Sequence, residues 1–271
     1  MREKVSYALI ASILLVATVS SMPGTVEAAT YDGFEYTIRS DDTVEITKYV
    51  GTSNNVIIPD KIGDRVVTGI GDSLFEGRYS SLTSITIPDT ITSIGKYAFA
   101  YCKPPTPITI PDGVSTIGEY AFLYCPSLKS VTLTNVTSIG DKAFAYSTSL
   151  ASVTLTNVTS IGKSAFSDCS SLKSVTLTNV TSIGFGAFSW CSSLTSIIIP
   201  DSVTSIGDYA FNQCSSMTSI LFRGDAPGIG SHWVENTRSD LTVYFIEGSS
   251  GFTGSEWGGK TSVAVSAPSA P

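Results

Sequence analysis

The sequence predicts an α/β solenoid: a curved stack of short coils with a parallel sheet on the concave face, short helical turns opposite, and a cap at each end. Three observations carry this reading. Ile-Gly recurs at Ile70, Ile94, Ile117, Ile139, Ile161, Ile183 and Ile206, with Phe four or five residues later, at intervals of 24, 23, 22, 22, 22 and 23 residues. Within each unit the apolar positions pass from strict alternation to a tighter spacing. Both ends depart from the period. A unit of that length cannot bury an apolar face alone, so stacked copies must bury one another's faces.

Taken in chain order, Arg2 and Lys4 precede an apolar run from Val5 to Val19, then a Pro-Gly break and Val26-Glu27-Ala28. The run of 15 residues is short for a membrane span and has the layout of a secretory signal, with cleavage expected after Ala28 or Ala29. Residues 1–28 are therefore read as a signal peptide, leaving a mature chain of about 240 residues with no membrane insertion. Residues 29–64 read as an N-terminal β cap, with Tyr31 to Ile38, Thr43 to Thr47 and Val56 to Pro59 forming a hairpin that feeds the first coil. The solenoid spans 65–222. From Arg223 the repeat is expected to stop, 223–265 forming a C-terminal cap with a strand around Val243 and an aromatic plug at Trp257, and 266–271 a tail.

The coil from Leu172 to Cys191 shows the plan. Val175 and Leu177 alternate with Thr176 and Thr178, the period of a strand with one buried face. Asn179 turns the chain, Val180 and Ile183 point inward, and Gly184 permits a bend or a close backbone approach. Ala187, Phe188 and Cys191 have the spacing of a helical face. Full burial of one large apolar side chain is worth ~1.5–3 kcal/mol, so the several per coil offset much of the ordering entropy only if neighbouring coils cover them.

The run Leu-x-x-Ile-x-Ile-Pro-Asp-x-Val-x-x-Ile-Gly-x-x-Ala-Phe-x-x-Cys, nearly complete from Leu194 to Cys214, resembles the BspA-like leucine-rich repeat, also found in treponemal surface proteins. The resemblance covers roughly residues 31–265. It implies a leucine-rich repeat stack that serves as an extracellular binding or adhesion module, with no catalytic residues to carry over. Three coils depart from the pattern, with Thr134-Asn135, Thr156-Asn157 and Thr178-Asn179 in place of Pro-Asp, each one residue shorter.

A net charge of −7 and scattered Lys and Arg argue against nucleic acid as a partner, since phosphates are bound by clustered cations. Cys102, Cys125, Cys169, Cys191 and Cys214 all stand three residues after Phe. Matching positions in a stack lie about 4.8 Å apart, wider than the Cβ separation of about 3.8 Å in a disulfide, so free buried thiols acting as small apolar residues are expected. Ser147 fills the same slot in one coil, so pairing is not what the slot requires. No metal or cofactor is expected: His232 is the only histidine and reads as a surface residue, and Asp60, Asp89, Asp112 and Asp201 after Pro read as turn chemistry before calcium ligands. No catalytic set emerges.

Two outward files are candidate binding surfaces. Thr132, Thr154 and Thr176 stack on the strand face, with Thr134, Thr156 and Thr178 beside them; strand propensity explains them, and an ice- or mineral-binding array is the alternative. Tyr101, Tyr124, Tyr146 and Trp190 share the position two after Phe, and Tyr97, Tyr120 and Tyr209 precede Ala-Phe. On a helix, Tyr97 and Tyr101 would share one flank, with Tyr101 at the edge of the buried face and Tyr97 further out. Such rings either seal the core between coils or anchor a partner. Asn135, Asn157 and Asn179 each begin Asn-Val-Thr, a glycosylation acceptor pattern or simple turn chemistry. The expected function is a monomeric, non-catalytic module, secreted or displayed at the cell surface, binding an extracellular protein or glycan; a structural envelope component is the remaining alternative.

Overall fold

The structure, a computed structural model, describes residues 29–77, 82–102 and 108–266. The signal-peptide reading of residues 1–28 lies outside them, as do residues 267–271 of the tail. The chain winds into stacked coils held by three hydrogen-bonded ladders. The first is the predicted strand face. Ser130–Leu133, Ser152–Leu155 and Ser174–Leu177 pair in parallel, Val131 opposite Val153 and Val153 opposite Val175. Ser196–Ile199, Ser219–Phe222 and Thr242–Ile246 continue it as a further parallel set. The second is built from two-residue strands, each ending on the recurring Ile: Ser138–Ile139 pairs Ser160–Ile161, which pairs Ser182–Ile183, which pairs Ser205–Ile206.

The third ladder replaces the expected helical turns. No described residue is helical, so the fold is a β-solenoid of stacked parallel strands and the α/β assignment is corrected. In the coil at Gly140, the amides of Lys142, Phe144 and Tyr146 donate to the carbonyls of Lys163, Ala165 and Ser167 in the next coil, each at 2.8 Å. The intervening amides of Ala143, Ala145 and Ser147 close turns onto Gly140, Lys142 and Phe144 within the coil. Lys142 and Tyr146 take φ of 54° and 60°, values that no α-helix contains. A lone helical turn would leave its first amides without partners. Sending alternate amides to the next coil satisfies them, which is why the ribbon wins.

This ribbon donates forward along the chain. The Ile ladder donates backward, with Gly140 N–H on the Ile117 carbonyl at 3.0 Å. Close approach there explains the recurrent glycine: a Cβ on Gly162 would stand 2.7 Å from the Gly140 carbonyl carbon and the Ile139 oxygen. Inside, Phe122, Phe144, Phe166 and Phe188 are fully buried and stack with centroids 5.2, 5.2 and 5.4 Å apart.

The ends differ from each other. At the N-terminus, Phe34–Ile38 and Val44–Tyr49 form the expected antiparallel hairpin, and Val44–Tyr49 then pairs in parallel with Arg65–Ile70. At the C-terminus the repeat does not stop at Arg223. Gly228–Ile229 extends the Ile ladder, the Phe211 amide donates to the Trp233 carbonyl at 2.7 Å, and Trp233 occupies the Phe slot with 3 % exposure. Only beyond it do Phe222, Trp233, Phe252 and Trp257 close the core through tilted and edge-on ring contacts, after which Lys260–Val265 pairs with Thr242–Ile246.

Candidate functional site

The turn ribbon presents the aromatic residues in two rows. Tyr101, Tyr124 and Tyr146 lie in consecutive coils with φ of 57°, 57° and 60°, and their rings stack at 5.9 and 5.5 Å. They are 42, 46 and 40 % exposed. Trp190, at the same register and 51 % exposed, meets no other ring among the described residues, because Asp168 takes the intervening coil. The second row is Tyr97 stacked on Tyr120 at 4.6 Å, and further along Tyr209 stacked on the exposed His232 at 5.1 Å. Between the rows Ala100, Leu123 and Ala145 form a small buried cluster against which Tyr97 and Tyr120 pack.

This reverses the helical expectation. Tyr97, Tyr120 and Tyr209 are half-buried, and Tyr101, Tyr124 and Tyr146 stand out. The left-handed backbone at both positions, instead of a helix flank, sets their directions. Over the half-buried pair sits a cation. Lys96 Nζ lies 5.6 Å from the Tyr97 ring centre and 5.6 Å from that of Tyr120, and is paired with Glu119 at 2.6 Å.

On the strand face Thr132, Thr154 and Thr176 are directly opposite one another across parallel strands, pointing away from the buried Leu133, Leu155 and Leu177. The file ends at Ile198, 45 % exposed, beside a shallow depression of about 500 Å³ lined by Thr176, Thr178, Pro200, Arg223 and Ile246. Asn135, Asn157 and Asn179 are exposed, yet each Nδ2 donates to a carbonyl one coil back: Asp112 at 2.8 Å, Thr134 at 2.7 Å and Thr156 at 2.8 Å. These bonds explain why three coils carry Asn where Pro-Asp is usual.

The cysteine slot holds a function that spacing did not reveal. Sγ of Cys125, Cys169, Cys191 and Cys214 donates to the carbonyl of Phe99, Phe144, Phe166 and Phe188, at 3.2, 3.3, 3.2 and 3.2 Å. Burial pushes the Cys214 thiol up to about 12 and the Cys169 thiol higher still. Such thiols are inert. No group of three or more His, Cys, Asp or Glu side chains is placed to hold a metal among the described residues, and no helix long and apolar enough to cross a membrane occurs among them.

The BspA-type leucine-rich repeat model matches residues 68–184 and 137–252, in six copies. The chain belongs to the BspA-type leucine-rich repeat family. Solved bacterial leucine-rich repeat proteins share the fold. A leucine-rich repeat protein from Bacteroides ovatus is 27 % identical with a TM-score of 0.58, over 81 % of this chain and 72 % of that one. The leucine-rich repeat protein of T. pallidum is 29 % identical with a TM-score of 0.62, over 70 % of this chain and 91 % of that one. None of the curated proteins compared matches the chain. BspA-type membership is consistent with a binding or structural repeat protein.

Proposed function

We propose that the chain is a secreted or surface-displayed, non-catalytic binding module that adheres to an extracellular protein or glycan through its turn ribbon. The observation that carries the reading is the row Tyr101, Tyr124 and Tyr146, three large rings held 40 % or more in solvent by backbone in the left-handed region. Left-handed backbone costs about 1–2 kcal/mol per non-glycine residue, and Gly186 shows that this ribbon accepts glycine at a left-handed position, with φ of 57°. Bulky rings retained at such cost, and rigidly spaced, suit recognition with little ordering entropy on binding. Replacing Tyr101, Tyr124 and Tyr146 by Ser tests it: attachment of the purified chain to host cells or matrix should fall at least tenfold with stability kept, and unchanged attachment removes the assignment.

The strand face supports a second reading, ice- or mineral-surface binding, on the direct parallel register of Thr132, Thr154 and Thr176. Thermal hysteresis or crystal shaping by the purified chain is its test, and absence of both retires it.

A further inference from the structure

Where the tyrosine row is interrupted, Tyr146, Asp168 and Trp190 occupy the same register in consecutive coils. Their amides donate to Ser167, Ser189 and Asn212, each at 2.8 Å, and their φ values are 60°, 58° and 63°. The half-buried carboxylate of Asp168 thus lies between two exposed rings. No Lys, Arg or His nitrogen comes within 4.0 Å of it among the described residues. Its pKa is raised, first by loss of solvent, with the Ser167 hydroxyl opposing. A carboxylate so placed is stabilised by an added positive charge.

The same ribbon shows what fills such a place. In the coils at Gly95 and Gly118, the Lys96 ammonium rests 5.6 Å from two tyrosine rings and 2.6 Å from the Glu119 carboxylate. A second lysine, Lys142, lies 5.7 Å from the Tyr120 ring. A carboxylate beside a stacked pair of rings therefore holds an ammonium within the molecule. At Tyr146, Asp168 and Trp190 the rings and the carboxylate recur without the lysine. Matching positions two coils apart are about 9.6 Å apart, so a cation seated on the outer side of the Asp168 carboxylate, between the two ring registers, comes within the ~6 Å reach of a cation–π contact with each ring.

We propose that Tyr146, Asp168 and Trp190 form a site for an organic ammonium group, namely a lysine side chain of a protein partner. The net charge of −7 favours a basic partner over an acidic one. The site rests on the reading of the turn ribbon as a recognition surface and gives that surface a ligand chemistry.

The test is titration of the full purified chain, followed at the backbone amides of Tyr146, Asp168 and Ser189 by NMR, with N-acetyl-lysine methylamide and with tetramethylammonium. The neutral isostere 3,3-dimethylbutanol and a neutral hexose are run beside them at matched ionic strength. The site predicts saturable shifts with both ammonium probes, weakened at least tenfold, about 1.4 kcal/mol, in Asp168→Asn and Trp190→Ala, and unchanged in Thr132→Ala on the strand face. Trp190→Phe, which keeps a ring, retains binding if the alanine variant fails to fold. Equal binding of the neutral isostere, wild-type affinity in Asp168→Asn, or a response to the hexose alone would overturn it. Saturation by tetramethylammonium with none by the lysine probe would overturn the lysine assignment. Attachment that is lost in the triple tyrosine variant while neither ammonium binds would leave the adhesion reading standing and remove this site.

Discussion

The hydroxyl of Ser147 donates to the carbonyl of Phe122, one coil earlier, across 3.3 Å of buried interior. Cys169 does the same to Phe144, and Cys191 to Phe166, at 3.3 and 3.2 Å. The slot three residues after Phe thus asks for a small side chain that carries a donor. Sulfur and oxygen both qualify, which accounts for the one serine among the cysteines.

Exchanging donor for donor should therefore be mild. We expect Cys169→Ser to stay within about 1 kcal/mol of the parent in urea denaturation, and Cys169→Val, larger and without a donor, to cost about 1–3 kcal/mol. Equal losses in the two variants would contradict a requirement for a donor in this slot.

The same thiols tie stability to alkaline pH. Burial raises Cys214 from 9.0 to about 12 and moves Cys125, Cys169 and Cys191 in the same direction. The folded state then holds protons that the unfolded chain releases. Their contribution is complete below about pH 9 and declines as pH rises toward the folded values, by up to about 1.4 kcal/mol per pH unit for each thiol. Urea midpoints measured from pH 8 to 11 should fall, and the fall should be shallower in Cys214→Ser. A thiol reagent should label none of the buried cysteines in the native protein and all five after denaturation.

Glycines divide into two kinds. Gly162→Ala drives a Cβ to 2.7 Å from backbone atoms of the coil below, and should cost about 1–3 kcal/mol or abolish folding. Gly63 has open space around it and φ of 61°, so Gly63→Ala should cost only the left-handed penalty, about 1–2 kcal/mol. Thermal or urea unfolding of the two variants separates crowding from conformation.

Asn157 joins coils through its amide, and Asn157→Ala should lower stability by about 0.5–1.5 kcal/mol. Asn157→Asp removes the donor at nearly the same shape and should cost at least as much. If both are neutral in urea unfolding, the Asn file is decoration.

How much of this was legible follows from which signals live in side chains. The Ile-Gly and Phe period announces itself, because each position is filled by one apolar type and burial admits few others. Ala187, Phe188 and Cys191 fit a helical face, so side-chain spacing predicts a helix for the ribbon, whereas the decisive feature, left-handed backbone at Gly186 and Trp190, belongs to the main chain. One trace of it was present: glycine at Gly186, where other coils carry Tyr120, Lys142 or Ser164. The extra C-terminal coil was hidden by Trp233 standing for Phe, although Ile229-Gly230 four residues before it repeats the motif. The donor role of the cysteines was foreshadowed by Ser147 and obscured by the ordinary reading of cysteine as apolar. The rows of Tyr101 and Thr132 were found by register, but which tyrosines face solvent depended on the backbone.

Native-state hydrogen exchange at Lys142, Phe144 and Tyr146 tests the ribbon most directly. If these amides are bonded to the carbonyls of Lys163, Ala165 and Ser167, they should be as protected as the strand amides of Val153 and Leu155. A short helical turn would leave the first amides unbonded; exchange of Lys142 and Phe144 at rates of open backbone, with Val153 still protected, would contradict the forward ladder.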